Sequence, residues 1–176
     1  EIIHQEGHDR RGIDCALLYD PLHFKVLAYK SIPLTMPDDP DFASRDQLLV
    51  SGELMDELTH FIVVHWPSRR GGEAKSKSKR NAAARLNRSI IDSIQSKSPF
   101  AKIITMGDFN DNPTDKSVKP ILLTNSNKSR TKQNQLYNPT EELFKKVESI
   151  IIRFLFSSEN GIKILPEFIV TSSNTF

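Results

Sequence analysis

Apolar and polar positions along this chain sort into short runs that predict strands, interrupted by one long stripe that predicts a helix. Ile13 to Tyr19 is apolar on both faces apart from Asp14, the pattern of a strand inside a layered sheet. Asp20-Pro21 begins a turn, and Phe24 to Tyr29 reads as the antiparallel partner of that strand. A loop rich in proline and aspartate follows over Ser31 to Asp41. Gln47 to Leu54 and Leu58 to Trp66 then read as two adjacent strands around an acidic turn. The segment Glu1 to Arg11 is polar and reads as loop, with His4 and His8 in it.

Beyond Trp66 the pattern changes. Ser68 to Lys79 reads as a flexible cationic loop, and Arg80 to about Gln95 as a helix. The apolar stripe of that helix is Ala83, Leu86 or Asn87, Ile90 and Ile94, with Arg85, Arg88, Asp92 and Ser96 outside it. Pro99 closes the connection. Ile103, Ile104 and Met106 then form a short buried-type strand that stops at Gly107. Strand, loop, helix, strand is a crossover unit, which makes strands 58–66 and 102–107 candidate neighbours with their carboxyl ends on one rim. Ligands of α/β layers bind at such rims.

The size, 176 residues and 20.0 kDa, fits one domain or part of a larger one. A net charge of +2 conceals an uneven distribution: Arg69 to Arg88 carries eight Lys or Arg against the single acid Glu73. A local basic patch suits phosphate-bearing substrates, although a solvated lysine-rich face is the commoner meaning. With one cysteine, Cys15, a disulfide framework is excluded, and its apolar setting predicts a buried thiol. No apolar run is long enough to span a membrane. The chain starts at Glu1 without a methionine, and the compartment is left open.

The candidate chemistry collects at the rim. After Gly107 come Asp108, Asn110, Asp111 and Asn112. Period-two alternation turns Asp108 and Asn110 one way and Phe109 the other, into the core. By itself this is equally an ordinary Asp/Asn turn leading into Pro113. The second strand changes the balance, because it delivers His65, and after it Ser68, Arg69 and Arg70, to the same edge. A histidine, an acid, an amide and arginines converging on one rim form a constellation suited to phosphate chemistry.

His65-Trp66-Pro67-Ser68-Arg69-Arg70-Gly71-Gly72, a basic helix, and Gly107-Asp108-Phe109-Asn110-Asp111 together resemble the endonuclease/exonuclease/phosphatase superfamily of deoxyribonuclease-like phosphoesterases. A bacterial branch with the His-Trp-Pro-Ser-Arg signature is the nearest likeness, and Arg11-Gly12-Ile13-Asp14, Ser44-Arg45-Asp46 and Leu136-Tyr137-Asn138-Pro139 also look like it. The resemblance covers about residues 4–146 of a single partial domain spanning 1–176. It implies a four-layered α/β sandwich, two packed mixed β-sheets flanked by helices. It also implies hydrolysis of a phosphate ester, with nucleic acid among the candidate substrates, by water attack with Mg²⁺ or Mn²⁺. Carried over, His65 is an acid, base or transition-state donor, Asp108 orients or deprotonates the water and is a weak metal ligand, and Asn110 supports the phosphate oxygens. Ser68, Arg69 and Arg80 become phosphate contacts, and Asp14 a support for His65.

The family's metal-binding glutamate lies on an early strand, and its closing Ser-Asp-His follows a last strand. Neither motif is matched here, since Gln5-Glu6 falls in a polar run. The expectation is therefore a domain incomplete at both ends. Residues 147–176 are atypical, with Glu167 to Ser172 as a remnant of the last strand. The alternative is a catalytically inactive module that binds phosphates or nucleic acid through the basic segment 69–88.

Overall fold

The computed structural model describes residues 1–146 and, as backbone only, 168–170. Its centre is a seven-stranded mixed sheet built from β3 (Phe24–Ile32), β4 (Gln47–Leu54), β5 (Glu57–His65), β6 (Lys102–Asp108), β7 (Thr124–Asn125), β8 (Leu136–Tyr137) and β9 (Phe168–Val170). The spatial order is β3-β4-β5-β6-β9-β8-β7. A second, two-stranded sheet pairs β1 (Ile2–His4) with β2 (Ala16–Leu18), Ile3 lying opposite Leu17.

Period-two alternation assigns the two faces of the large sheet. On β5, Ile62 and Val64 join one core with Ile103 of β6 and with Ala83, Ala84, Ile90 and Ile91 of the single long helix α1 (Glu73–Lys97). Phe61 and Val63 turn the other way, onto a second core formed by Leu48, Val50 and Phe24 with Ile3 and Leu17 of the small sheet and Cys15 just before β2. Two sheets thus pack through one core and a helix covers the far side of the larger sheet, the layered α/β arrangement. Each fully buried isoleucine of the α1 face contributes about 1.5–3 kcal/mol by leaving water.

The β4–β5 hairpin closes on two residues, Met55 and Asp56, at φ 50° and 67°. Two positive φ angles in succession match the twist of the flanking strands and fix the register, Leu54 opposite Glu57. β5 and β6 run parallel, as the crossover pattern predicts, and the last pair of their register is His65 with Asp108.

Three expectations are corrected. First, β3 pairs with β4 rather than with the strand before it. The Asp20 turn, where Phe24 N–H reaches Asp20 O and Asp20 Oδ1 accepts Leu22 N–H, carries the chain from one sheet to the other. Phe24 then stacks edge-to-face on Phe61, 5.1 Å away in the large sheet. Second, the polar N-terminal segment begins with a strand, because Ile3 has a core to fill.

Third, α1 begins at Glu73, so most of the expected cationic loop is its first two turns. Gly71 and Gly72, at φ 84° and 103°, make the sharp entry that a side chain would strain. The Glu/Ala/Lys/Ser run after them consists mainly of good helix formers. The helix also buries Asn87 and Arg88, the latter expected outside the stripe. Asn87 Nδ2 donates to Thr105 Oγ1, and Arg88 reaches the Leu122 and Asn134 carbonyls.

A helical segment over residues 140–146 follows β8. The predicted remnant strand is present in part, as β9, which pairs antiparallel with β6. The rest of 147–176, whose sequence reads as atypical, lies outside the described residues. Among the described residues no helix is long and apolar enough to cross a membrane.

Candidate active site

The rim owes its geometry to Gly107. Its φ is 126°, and a Cβ there would sit 2.0 Å from the Val64 carbonyl oxygen, so β6 can approach β5 this closely only at a glycine. Trp66 N–H then donates to Asp108 O at 2.8 Å and ties the two strand ends together. Phe109 is buried and meets Trp66 edge-to-face at 4.8 Å, as alternation predicts. Asn110 follows at φ 51°, a conformation asparagine tolerates better than most residues. Its Nδ2 donates to Trp66 O, and its backbone N–H to Asp108 Oδ1.

On this platform His65 Nε2 lies 3.7 Å from Asp108 Oδ2, with side chains 41% and 43% exposed. That is too long for a direct hydrogen bond, and both side chains are partly open to solvent. The His65 pKa lies below the ordinary imidazole range. Partial burial is the main cause and the Arg45 cation adds to it, while Asp108 opposes both. Both effects favour the neutral ring.

Arg45 was not predicted as a site residue. Its buried guanidinium donates to the His65 and Trp66 carbonyls at 3.2 and 2.7 Å and lies 3.6 Å from Asp9. The Ser44-Arg45-Asp46 motif marks its position, but nothing in the spacing says it crosses to β5. Asp111, the other omission, is a hub below the rim. It accepts from Arg80 Nε at 2.6 Å, from Ser117 Oγ at 2.6 Å and from Arg69 at 3.2 Å.

These contacts place the predicted phosphate ligands differently from expectation. Arg80 is fully buried, held by Asp111 and by Ser76 Oγ, and supports the site from beneath. Arg69 is engaged by Asn110 O, Asp111 and Asp115, so it braces the turn. Ser68 is exposed at the rim. Asp14 does not reach His65: its carboxylate accepts Gly7 N–H at 2.9 Å and lies 3.3 Å from His4 Nε2, on the small sheet. Cys15 is buried, which pushes its thiol up to about 11 and leaves it inert.

A magnesium site is not assembled by these residues. Among the described residues no three His, Cys, Asp or Glu side chains converge, and Asp108, the one carboxylate at the rim, already accepts Asn110 N–H. A hard divalent cation needs more oxygen ligands than this.

The sequence matches the Endonuclease/Exonuclease/phosphatase family over residues 1–154. This chain belongs to that family. No curated protein matches it. Among solved structures it resembles ANGEL2, a 2′,3′-cyclic phosphatase, with a TM-score of 0.56 and 18% identity over 69% of this chain and 35% of that one. It also resembles a conserved protein of unknown function from Enterococcus faecalis, with a TM-score of 0.53 and 14% identity over 89% and 58%. Truncated TDP2 from Caenorhabditis elegans aligns with a TM-score of 0.50 and 16% identity over 86% and 54%. At these identities the likeness shows the fold. The chain spans 25% to 58% of the length of the structures it matches.

Proposed function

We propose that this family member acts in the hydrolysis of phosphate esters, phosphodiester or phosphomonoester, by attack of water on phosphorus at the His65–Asp108 edge. The observation that carries this reading is the register of β5 and β6, which sets a histidine and a carboxylate side by side at the mouth of a glycine-limited strand junction. A water seated against both groups has a base within reach, and Asn110 orients Asp108 through its backbone N–H. Ser68 offers a hydroxyl to a phosphate oxygen at the same edge. Family membership and the cyclic-phosphatase neighbour support the substrate class. Dependence on Mg²⁺ or Mn²⁺, which family membership implies, enters as a condition to be tested, since an ion needs more ligands than the described residues bring together.

That same shortage favours the second reading, a module that binds phosphates without turning them over. Hydrolysis of bis(p-nitrophenyl) phosphate, with Mg²⁺, Mn²⁺ or EDTA, separates the two. Metal-dependent turnover that is lost in Asp108→Asn and His65→Ala supports the hydrolase; absence of turnover under every condition removes it. If His65 acts as the base, kcat/KM rises with pH along an acid limb whose midpoint lies below 6.5, because the folded ring protonates less readily than a free one.

A further inference from the structure

Arg69 carries a guanidinium suited to phosphate, yet each of its nitrogens already faces an acceptor within the protein. Nε donates to Asn110 O at 2.9 Å, and Nη2 donates to Asp115 Oδ2 at 2.9 Å and to Asp111 Oδ1 at 3.2 Å. Nη1 lies 3.5 Å from Glu73 Oε2, at the first residue of α1. Three carboxylates therefore surround this cation, and the neighbouring Arg80 is itself paired with Asp111. A phosphate arriving at Arg69 would meet more negative charge than positive.

What Arg69 holds is Asn110, a residue at φ 51° that is tied at three points. Its side chain donates to Trp66 O at 2.9 Å, its carbonyl accepts from Arg69, and its N–H donates to Asp108 Oδ1 at 2.8 Å. With Oδ1 taken by that N–H, the carboxylate oxygen 3.7 Å from His65 Nε2 is Oδ2. Asp115 anchors the arrangement from outside, because the oxygen that accepts from Arg69 also accepts Asn112 N–H at 2.7 Å.

We propose that Arg69 is a positioning residue: it fixes the Asn110 backbone, which in turn sets Asp108 with Oδ2 toward His65, and Asp115 anchors it. This inference rests on the hydrolase reading only for what Asp108 then does. The role requires a guanidinium, because two nitrogens of one rigid plane reach the Asn110 carbonyl and the Asp115 carboxylate together. A lysine ammonium carries the same charge on a single atom and cannot reproduce both bonds.

The first part of the test needs no turnover. Amide hydrogen exchange, read residue by residue by NMR, compares the unaltered chain with Arg69→Lys and Asp115→Asn. In Arg69→Lys the Asn110 N–H should exchange about tenfold faster, while amides of the β4–β5 hairpin keep their protection. Asp115→Asn, nearly the same shape without the charge, should change Asn110 in the same direction by less. It also replaces Arg69→Lys as the deciding variant if the lysine disturbs the hairpin. The second part is hydrolysis of bis(p-nitrophenyl) phosphate by the same chains. Arg69→Lys should lower kcat about 10²-fold with KM within about twofold, as expected for a displaced Asp108 rather than lost substrate binding.

Unchanged Asn110 protection in both variants overturns the proposal. So does faster exchange with kcat unaltered, and so does a raised KM with kcat kept, which would make Arg69 a phosphate ligand after all. Absence of turnover in the unaltered chain defeats the hydrolase reading alone, and the exchange result then decides whether Arg69 holds Asn110.

Discussion

Two pairs, each an aspartate with a basic side chain, meet at the end of β6 through Asp108 and Asp111, and they are built in opposite ways. His65 and Asp108 are 3.7 Å apart, and both are about two-fifths exposed. Arg80 and Asp111 are 2.6 Å apart, with side chains 1% and 5% exposed; Ser76, Ser117 and Arg69 bond further atoms of the pair, while Arg80 Nη2 is buried without a hydrogen-bond partner among the described residues. The first pair is loosely held and open to a reactant. The second is desolvated and closed, and removing one partner leaves an uncompensated charge in the interior. His65 and Asp108 can stay half-free because the neighbouring ion pair fixes the turn that follows Asp108.

The sharpest way to break this contrast is to substitute each pair separately. His65→Ala or Asp108→Asn should lower kcat/KM by roughly 10²–10⁴ while leaving the thermal transition nearly unmoved, as expected for groups that act on reactants rather than on the fold. A large fall in Tm on either substitution would show that the open pair is structural.

Asp111→Ala should do the reverse, with a loss of about 3–5 kcal/mol in denaturant unfolding as Arg80 is left buried and alone. The double variant Asp111→Leu/Arg80→Met should recover much of that loss, because it removes both charges at once. If the double falls as far as the two singles summed, the pair is not coupled.

Gly107→Ala sharpens the comparison at the hinge between the pairs. The added Cβ would overlap the Val64 carbonyl at a φ of 126°, a penalty of about 2–4 kcal/mol and a displaced Asp108. Unchanged stability would show that the strand junction relaxes freely.

The smallest effect concerns the support behind His65. Arg11 beside Asp9 lowers the Asp9 pKa to about 2 from an ordinary 3.8. A depressed folded-state pKa contributes stability above about pH 4 that is lost as pH falls toward 2. Asp9→Asn should lower stability by about 1–2 kcal/mol at pH 7 and flatten the acid slope of unfolding free energy over that window. An acid slope identical in parent and variant would remove Asp9 as its source.

Period, spacing and glycine placement determined much of this molecule directly from the sequence. The apolar run of Leu58 to Trp66 reads as a strand, the crossover pattern makes β5 and β6 candidate parallel neighbours, and the Gly-Asp-Phe-Asn turn orients Phe109 inward, because local backbone geometry permits few other outcomes. The tertiary structure decided which charges meet. Arg69 and Arg80 have the chemistry of phosphate ligands, but Asp111 lies within reach and the interior does not tolerate it unpaired. Asp14 could serve a histidine, but β2 pairs with β1, so that histidine is His4 and not His65. Pairing across elements depends on distances of a few ångströms between residues tens of positions apart, and charge type alone carries no such distance.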